Sequence, residues 1–290
     1  MMGRRPVLLG LLAAVMTAPR ETRAAGGPAA DRRLRLAELE RRHGGRLGVA
    51  VLDTASGARV LHRADERFPL CSTFKFLAAA QVLARVDRGE EQLGRRIVFS
   101  EADLVSYSPV TKEHVGGDGM TLEAICEAAI TLSDNTAGNL LLDSFGGPAA
   151  LTRYVRTLGD RKTRLDRRET ELNEAKPGDP RDTTTPAAML QDMQRLLVGD
   201  ALSAGSRERL VAWLTASKTG AKRLRAGVPP DWRAGDKTGT SGNGVVNDIA
   251  IFWPPDRAPL LVSAYYRGPE GTGDAVLEAV GRLVAEFPAR

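Results

Sequence analysis

Apolar residues gather in short runs near both ends of the chain and recur at helical spacing through its middle. Residues 47–52 and 60–61 flank Thr54-Ala55-Ser56-Gly57, which predicts a β-hairpin. Residues 248–253 and 260–266 form two more apolar runs, separated by Pro254-Pro255 and Pro259, and an amphipathic helix is expected over about 272–286. Ahead of the hairpin, Leu34, Ala37 and Leu39 among charged neighbours predict an exposed helix over 31–43, closed by Gly44-Gly45. Between the strand regions the period is helical over 74–86, 121–132, 137–145, 149–158, 186–197 and 207–214, with Pro186 at a first-turn position. The simplest architecture is α+β: an antiparallel sheet built from both termini, a helical block inserted between, and a cleft where they meet.

Composition narrows the class. The 290 residues are 42% hydrophobic and 27% charged, enough for one or two packed cores and unlike a disordered or fibrous chain. Arg4-Arg5, the apolar stretch 7–16 and the small-x-small site Thr22-Arg23-Ala24 predict a cleaved secretory leader over 1–24. That stretch is too short for a permanent span, and no later segment approaches the roughly 20 apolar residues a span needs. The mature chain is therefore expected to be exported, periplasmic or secreted, without stable membrane insertion, and a monomer. The paired arginines fit a twin-arginine leader and an ordinary positive leader alike. Four arginines and one glutamate of the leader supply three of the five formal charges, leaving about +2 on the mature chain. The basic residues over 153–168 are interleaved with Asp160, Asp166 and apolar positions rather than aromatics, which argues for a solvated face and against nucleic acid. The three histidines, His43, His62 and His114, show no metal-pair spacing, so no metal and no cofactor is expected.

Three triplets carry candidate chemistry. Ser72-Thr73-Phe74-Lys75 opens the first long apolar helix, with Lys75 three residues after Ser72 on the same face. A serine hydroxyl is a weak nucleophile until a neighbouring base takes its proton, and this spacing can bring an amine to it. A helix cap and a solvated lysine would read the same way. Ser133-Asp134-Asn135 falls where one helical run stops and another starts, as a plain helix cap also would. Lys237-Thr238-Gly239, followed by Thr240, fits an edge strand with N–H groups free to meet a substrate. A second such triplet, Lys218-Thr219-Gly220, lacks a strand context and is discounted.

In this order, the triplets resemble those of class A serine β-lactamases and penicillin-binding proteins. The resemblance extends over essentially all of the mature chain, and Arg167-Arg168-Glu169-Thr170-Glu171-Leu172-Asn173 with residues 179–184 is similar to the Ω-shaped loop of the class A enzymes. It implies a three-layer α/β/α domain from residues 25–66 and 217–290, and an all-α domain over 67–216 with the loop at about 164–182. It also implies hydrolysis of β-lactam antibiotics, penicillins and cephalosporins, through an ester on Ser72. By the same resemblance Lys75 or Glu169 accepts the serine proton, Ser133 passes a proton to the leaving nitrogen, and Glu169 with Asn173 holds the hydrolytic water. The N–H groups of Ser72 and Thr240 form the oxyanion hole. Asn135 holds the substrate side-chain amide, and Lys237, Thr238, Gly239 and Thr240 bind the substrate end that carries its carboxylate. Arg223 stands where some relatives place a supporting arginine, Val246 filling the other usual place; a solvated loop cation beside Lys222 and Arg225 is the alternative. Tyr107 resembles the aromatic at the cleft mouth, or is core. Arg167 and Asp182 match the ion pair that closes the loop. Cell-wall peptidases and penicillin sensors share the triplets but generally lack the acid at Glu169, and a serine glutaminase is opposed by the leader.

The chain departs from the family at Thr170, often proline, and at Arg168. Cys71 and Thr240 resemble carbapenem-hydrolysing relatives. The cysteine that pairs with Cys71 there is Ser241 here, and the usual partner of Cys126 is Ala79. No family-type disulfide is therefore expected. Two titratable thiols should be counted in denatured, unreduced protein; a count of zero would refute this.

Overall fold

The computed structural model describes residues 28–286; the expected leader lies outside the described residues. Five strands form one antiparallel sheet: β1 (Arg46–Asp53), β2 (Arg59–His62), β3 (Arg233–Ser241), β4 (Val245–Trp253) and β5 (Leu260–Arg267), in spatial order β2-β1-β5-β4-β3. The two ends of the chain meet at the β1–β5 pair, where Val49 lies opposite Ala264. β3 is an edge strand, with Lys237 opposite Ile249 and Thr238 opposite Asp248.

Both faces of the sheet are covered, giving three layers. Val49, Val51, Ala250, Phe252 and Val262 point to one side, into a core closed by α1 (Pro28–His43) and the last helix. Ala50, Leu52, Ile249, Ile251 and Tyr265 point to the other, into the core shared with the inserted helices. Those helices are α2 (Phe74–Asp87), α3 (Leu122–Thr131), α4 (Asn135–Ser144), α5 (Pro148–Thr157), α6 (Pro186–Met193) and α7 (Ala204–Thr215), and the last helix is α8 (Gly273–Ala285).

Local chemistry marks their starts. Thr121, Asp134, Thr185 and Ser203 each cap a helix by accepting a backbone N–H three residues on, while Pro148 and Pro186 occupy first-turn positions. Several helices differ from expectation: α1 and α7 each begin three residues earlier, at Pro28 and Ala204. α4 begins at Asn135 rather than 137, because the Asp134 carboxylate already satisfies the first turn. The helix expected over 186–197 is α-helical only to Met193 and widens into a π-turn over Gln194–Val198, closed by the Gly199 N–H on the Gln194 carbonyl.

Gly48 shows how closely the layers approach. A Cβ there would stand 2.4 Å from the Phe68 ring and 2.8 Å from the Pro186 ring, so only glycine lets the start of α6 and the segment before α2 cross β1. Gly48→Ala should cost about 1–3 kcal/mol by overpacking and lower Tm by at least about 2 °C. An unchanged Tm in a thermal melt would contradict this packing.

Candidate active site

The Ser72 segment packs against the edge strand of the sheet. A 3₁₀ turn, Cys71–Thr73, runs directly into α2, so Ser72 stands at its start and Lys75 projects from its first turn. Lys75 is fully buried. Its Nζ donates to Ser72 Oγ at 3.0 Å, to the Ser133 carbonyl at 2.8 Å and to Asn135 Oδ1 at 2.6 Å. It also lies 3.0 Å from Glu169 Oε1, to which Ser72 Oγ donates at 3.1 Å. Serine, amine and carboxylate thus form one closed cluster.

A second buried amine faces the first. Lys237 Nζ donates to Ser133 Oγ and to the Thr238 carbonyl, both at 2.8 Å. Burial holds both lysines below the ordinary amine pKa. At Lys75 the neighbouring Glu169 charge opposes the shift, and at Lys237 the Lys75 charge adds to it. A lowered lysine pKa enlarges the neutral fraction that can take a proton. Burial, reinforced by Glu169, pushes the Cys71 thiol well up, so it stays protonated beside the serine.

The middle triplet does two jobs at adjacent residues. Asp134, fully buried, caps α4 and also accepts from Val110 N, Thr111 N and Thr111 Oγ1, drawing the 104–111 segment to the site. Ser133 is left in a left-handed conformation with its hydroxyl turned to Lys237. Asn135 Nδ2 holds the Ser106 carbonyl at 2.8 Å. Tyr107 is not core: it is 59% exposed at the cleft.

The cleft has a volume of about 340 Å³. Ser72, Tyr107, Ser133, Asn135 and Asn173 line it from the helical side, and Thr238, Gly239, Thr240 and Arg223 from the sheet side. Arg223 is nine-tenths buried and built in, not solvated. It donates to the Gly239 and Asn247 carbonyls at 3.0 and 2.8 Å, to Thr240 Oγ1 at 2.7 Å and to Asp274 at 2.9 Å. Arg225, its neighbour, is held by Asp236.

Thr219, from the discounted triplet, also lines the cleft and shares a hydrogen bond with Thr238 Oγ1 at 2.6 Å. The segment lies outside any strand, as expected, and Lys237-Thr238-Gly239 holds the edge-strand place. Thr219 alone of the second triplet lines the cleft.

Glu169 is 2% exposed and held on every side. Asn173 Nδ2 donates to its Oε2 at 2.5 Å. Asn139, on α4, bonds both sides of its peptide: Glu169 N donates to Oδ1, and Nδ2 donates to the Glu169 carbonyl, each at 2.9 Å. Asn139 carries no motif; only its position, one turn after Asn135 on the same helix face, could have drawn attention to it. The Glu169–Thr170 peptide is cis. Arg167 Nε donates to Asp182 Oδ2 at 2.6 Å, while Asp182 Oδ1 accepts Asp166 N and Arg167 N. Arg168 pairs with Asp143. Among the described residues no cluster of three or more His, Cys, Asp or Glu could hold a metal, and Cys71 and Cys126 are both free and buried.

The family model described as the β-lactamase enzyme family matches residues 31–287. The chain belongs to the class A β-lactamase family. It is 54% identical to β-lactamase AST-1 of Nocardia asteroides over 79% of this chain and 74% of that protein. It is 46% identical to β-lactamase CTX-M-8 of Citrobacter amalonaticus over 88% and 89%. Among solved structures, an ancestral class A β-lactamase superposes with a TM-score of 0.86 at 65% identity, covering 88% of this chain and 99% of that one. As in that family, the chain is a serine β-lactamase by kinship, and its three-layer fold with inserted helices is the class A fold.

The loop ion pair yields a test. Asp182 is 1% exposed, so its loss leaves two backbone N–H groups without their acceptor and Arg167 with only Glu174. Asp182→Ala should cost about 1–3 kcal/mol for each backbone donor left without an acceptor. Urea denaturation reads this as a lowered midpoint; an unchanged midpoint would show that the pair does not hold the loop.

Proposed function

We propose that the chain hydrolyses penicillins and cephalosporins through an ester on Ser72, so conferring resistance to β-lactam antibiotics. The observation that carries the proposal is the carboxylate of Glu169 at 3.1 Å from Ser72 Oγ, with Lys75 Nζ within about 3 Å of both. A serine and lysine alone make an ester; a carboxylate beside it supplies the base that lets water break that ester. This separates a hydrolase from a peptidase or sensor that stays acylated.

Ser72 Oγ attacks the lactam carbonyl as its proton passes to Lys75 or, through water, to Glu169. The N–H groups of Ser72 and Thr240 receive the developing oxyanion, Thr240 lying on β3 at the edge of the sheet. Collapse breaks the carbon–nitrogen bond, and Ser133, held by Lys237, delivers a proton to the nitrogen. Water positioned by Glu169 and Asn173 then attacks the ester, Glu169 takes its proton, and Ser72 leaves as the hydroxyl. Lys237, Thr238, Gly239, Thr240 and Arg223 form the cationic and hydroxyl-rich end that suits the substrate carboxylate, with Asn135 on the side-chain amide and Tyr107 at the mouth. Carbapenems fall within the proposed range through Cys71 and Thr240.

The proposal includes export, with residues 1–24 as the leader and the periplasm or medium as destination, as a monomer. Among the described residues no helix is long and apolar enough to cross a membrane.

Glu169→Ala should acylate with a penicillin and keep the adduct in intact mass spectra for at least about a hundred times longer than the parent enzyme, whereas Ser72→Ala should show no adduct. Parent-like turnover by Glu169→Ala would overturn the assignment.

A further inference from the structure

We propose that Arg267 and Asn243 are positioning residues for the hydrolytic step, because they clamp the far end of the Glu169 loop to the sheet. The inference rests on the acyl-enzyme reading above and adds to it two residues outside the cleft lining.

The loop is held at its near end from within, by Arg167 on Asp182 and, at 2.7 Å, on Glu174. Asn139 grips the Glu169 peptide from the helical side. Neither contact ties the 3₁₀ turn Glu171–Glu174, which carries Asn173, to the sheet. Two consecutive carbonyls at the end of that turn do so. Asn243, in the β3–β4 turn, donates from Nδ2 to the Glu174 carbonyl at 2.7 Å, and Arg267, the last residue of β5, donates from Nη2 to the Ala175 carbonyl. Ala175 itself is left-handed, φ 49° and ψ 43°, a conformation that a residue with a side chain keeps only when its surroundings hold it.

Arg267 is costly to place there. Arg46 lies directly opposite on β1, so like charges face each other across the ladder. Arg46 is occupied elsewhere, over the Phe68 ring at 4.5 Å and on Glu66 at 2.7 Å. Among the described residues no carboxylate pairs with Arg267, and its Nε is buried without a partner. A half-buried cation without a counter-ion contributes little to the fold, yet its one directed contact is a carbonyl two residues from Asn173. Beneath it, Ala175 packs with Val245 and Cys71, the residue before the nucleophile. A displacement of Ala175 therefore reaches the water-holding residues along the chain and the serine through packing.

The test compares Arg267→Met, Asn243→Ala and the double variant with Arg267→Lys as the conservative change. Decay of the Ser72 adduct is followed by intact mass after a single turnover of a penicillin, alongside steady-state kcat and KM. Adduct decay in the double variant should slow about tenfold to a hundredfold, the scale expected from misplacing a reacting group by about 1 Å. kcat and KM should fall together, leaving kcat/KM, which reports steps up to acylation, within about twofold. Arg267→Lys should recover most of the decay rate. A merely structural role would lower kcat at constant KM through lost active enzyme. That result, or adduct decay at the parent rate, overturns the clamp. Glu169→Ala is measured in parallel: parent-like decay there overturns the Glu169 reading itself, whatever the clamp variants do.

Discussion

The fully buried ammonium of Lys75 is the constraint on which the rest of the site depends. An amine removed from water must find acceptors for its protons, and here they come from four segments: Ser72 before α2, the Ser133 carbonyl, Asn135 on α4, and Glu169 on the loop. Satisfying those protons away from water draws the Ser72, Ser133–Asn135 and Glu169 segments together and sets the distances within the cluster. Burial lowers the Lys75 pKa while the Glu169 charge opposes that shift. A lowered amine pKa beside a serine hydroxyl is the condition under which the amine can take its proton.

Around this cluster the fold divides the work between rigid layers and a tethered loop. The sheet, buried on both faces, presents β3 as an edge on which Thr238 and Thr240 meet Thr219 and Arg223 at the cleft while Lys237 meets Ser133. The loop has little secondary structure of its own, so its geometry comes from side chains: Asp182 and Arg167 at its waist, Asn139 from the helices, Asn243 and Arg267 from the sheet. A carboxylate on a loop held from both sides thus meets the serine at the start of α2.

The strands, the inserted helices and the candidate site residues were legible because each rests on short-range patterning. Short apolar runs exposed β1, β4 and β5, helical spacing exposed α2 to α7, and the three triplets mark Ser72, Lys75, Ser133, Asn135, Lys237 and Thr238, which meet at one cleft. Long-range partners were not legible. Asn139, Asn243 and Arg267 act on residues 30, 69 and 92 positions away, and no local pattern marks an amide or guanidinium that will meet a distant carbonyl. Thr219 sits in a triplet that lacks the strand context, and only its contact with Thr238, 19 residues on, brings it to the cleft. The π-turn after Met193 was hidden because its apolar spacing is nearly that of a helix.

The most direct test of the account is multiple-turnover hydrolysis of a chromogenic cephalosporin by the purified mature protein, with product followed well past one equivalent per enzyme. The arrangement of Glu169 beside Ser72 and Lys75 predicts steady turnover at a constant rate. A burst of one equivalent that then stops would contradict it, and would mean that the cluster forms the ester but does not release it.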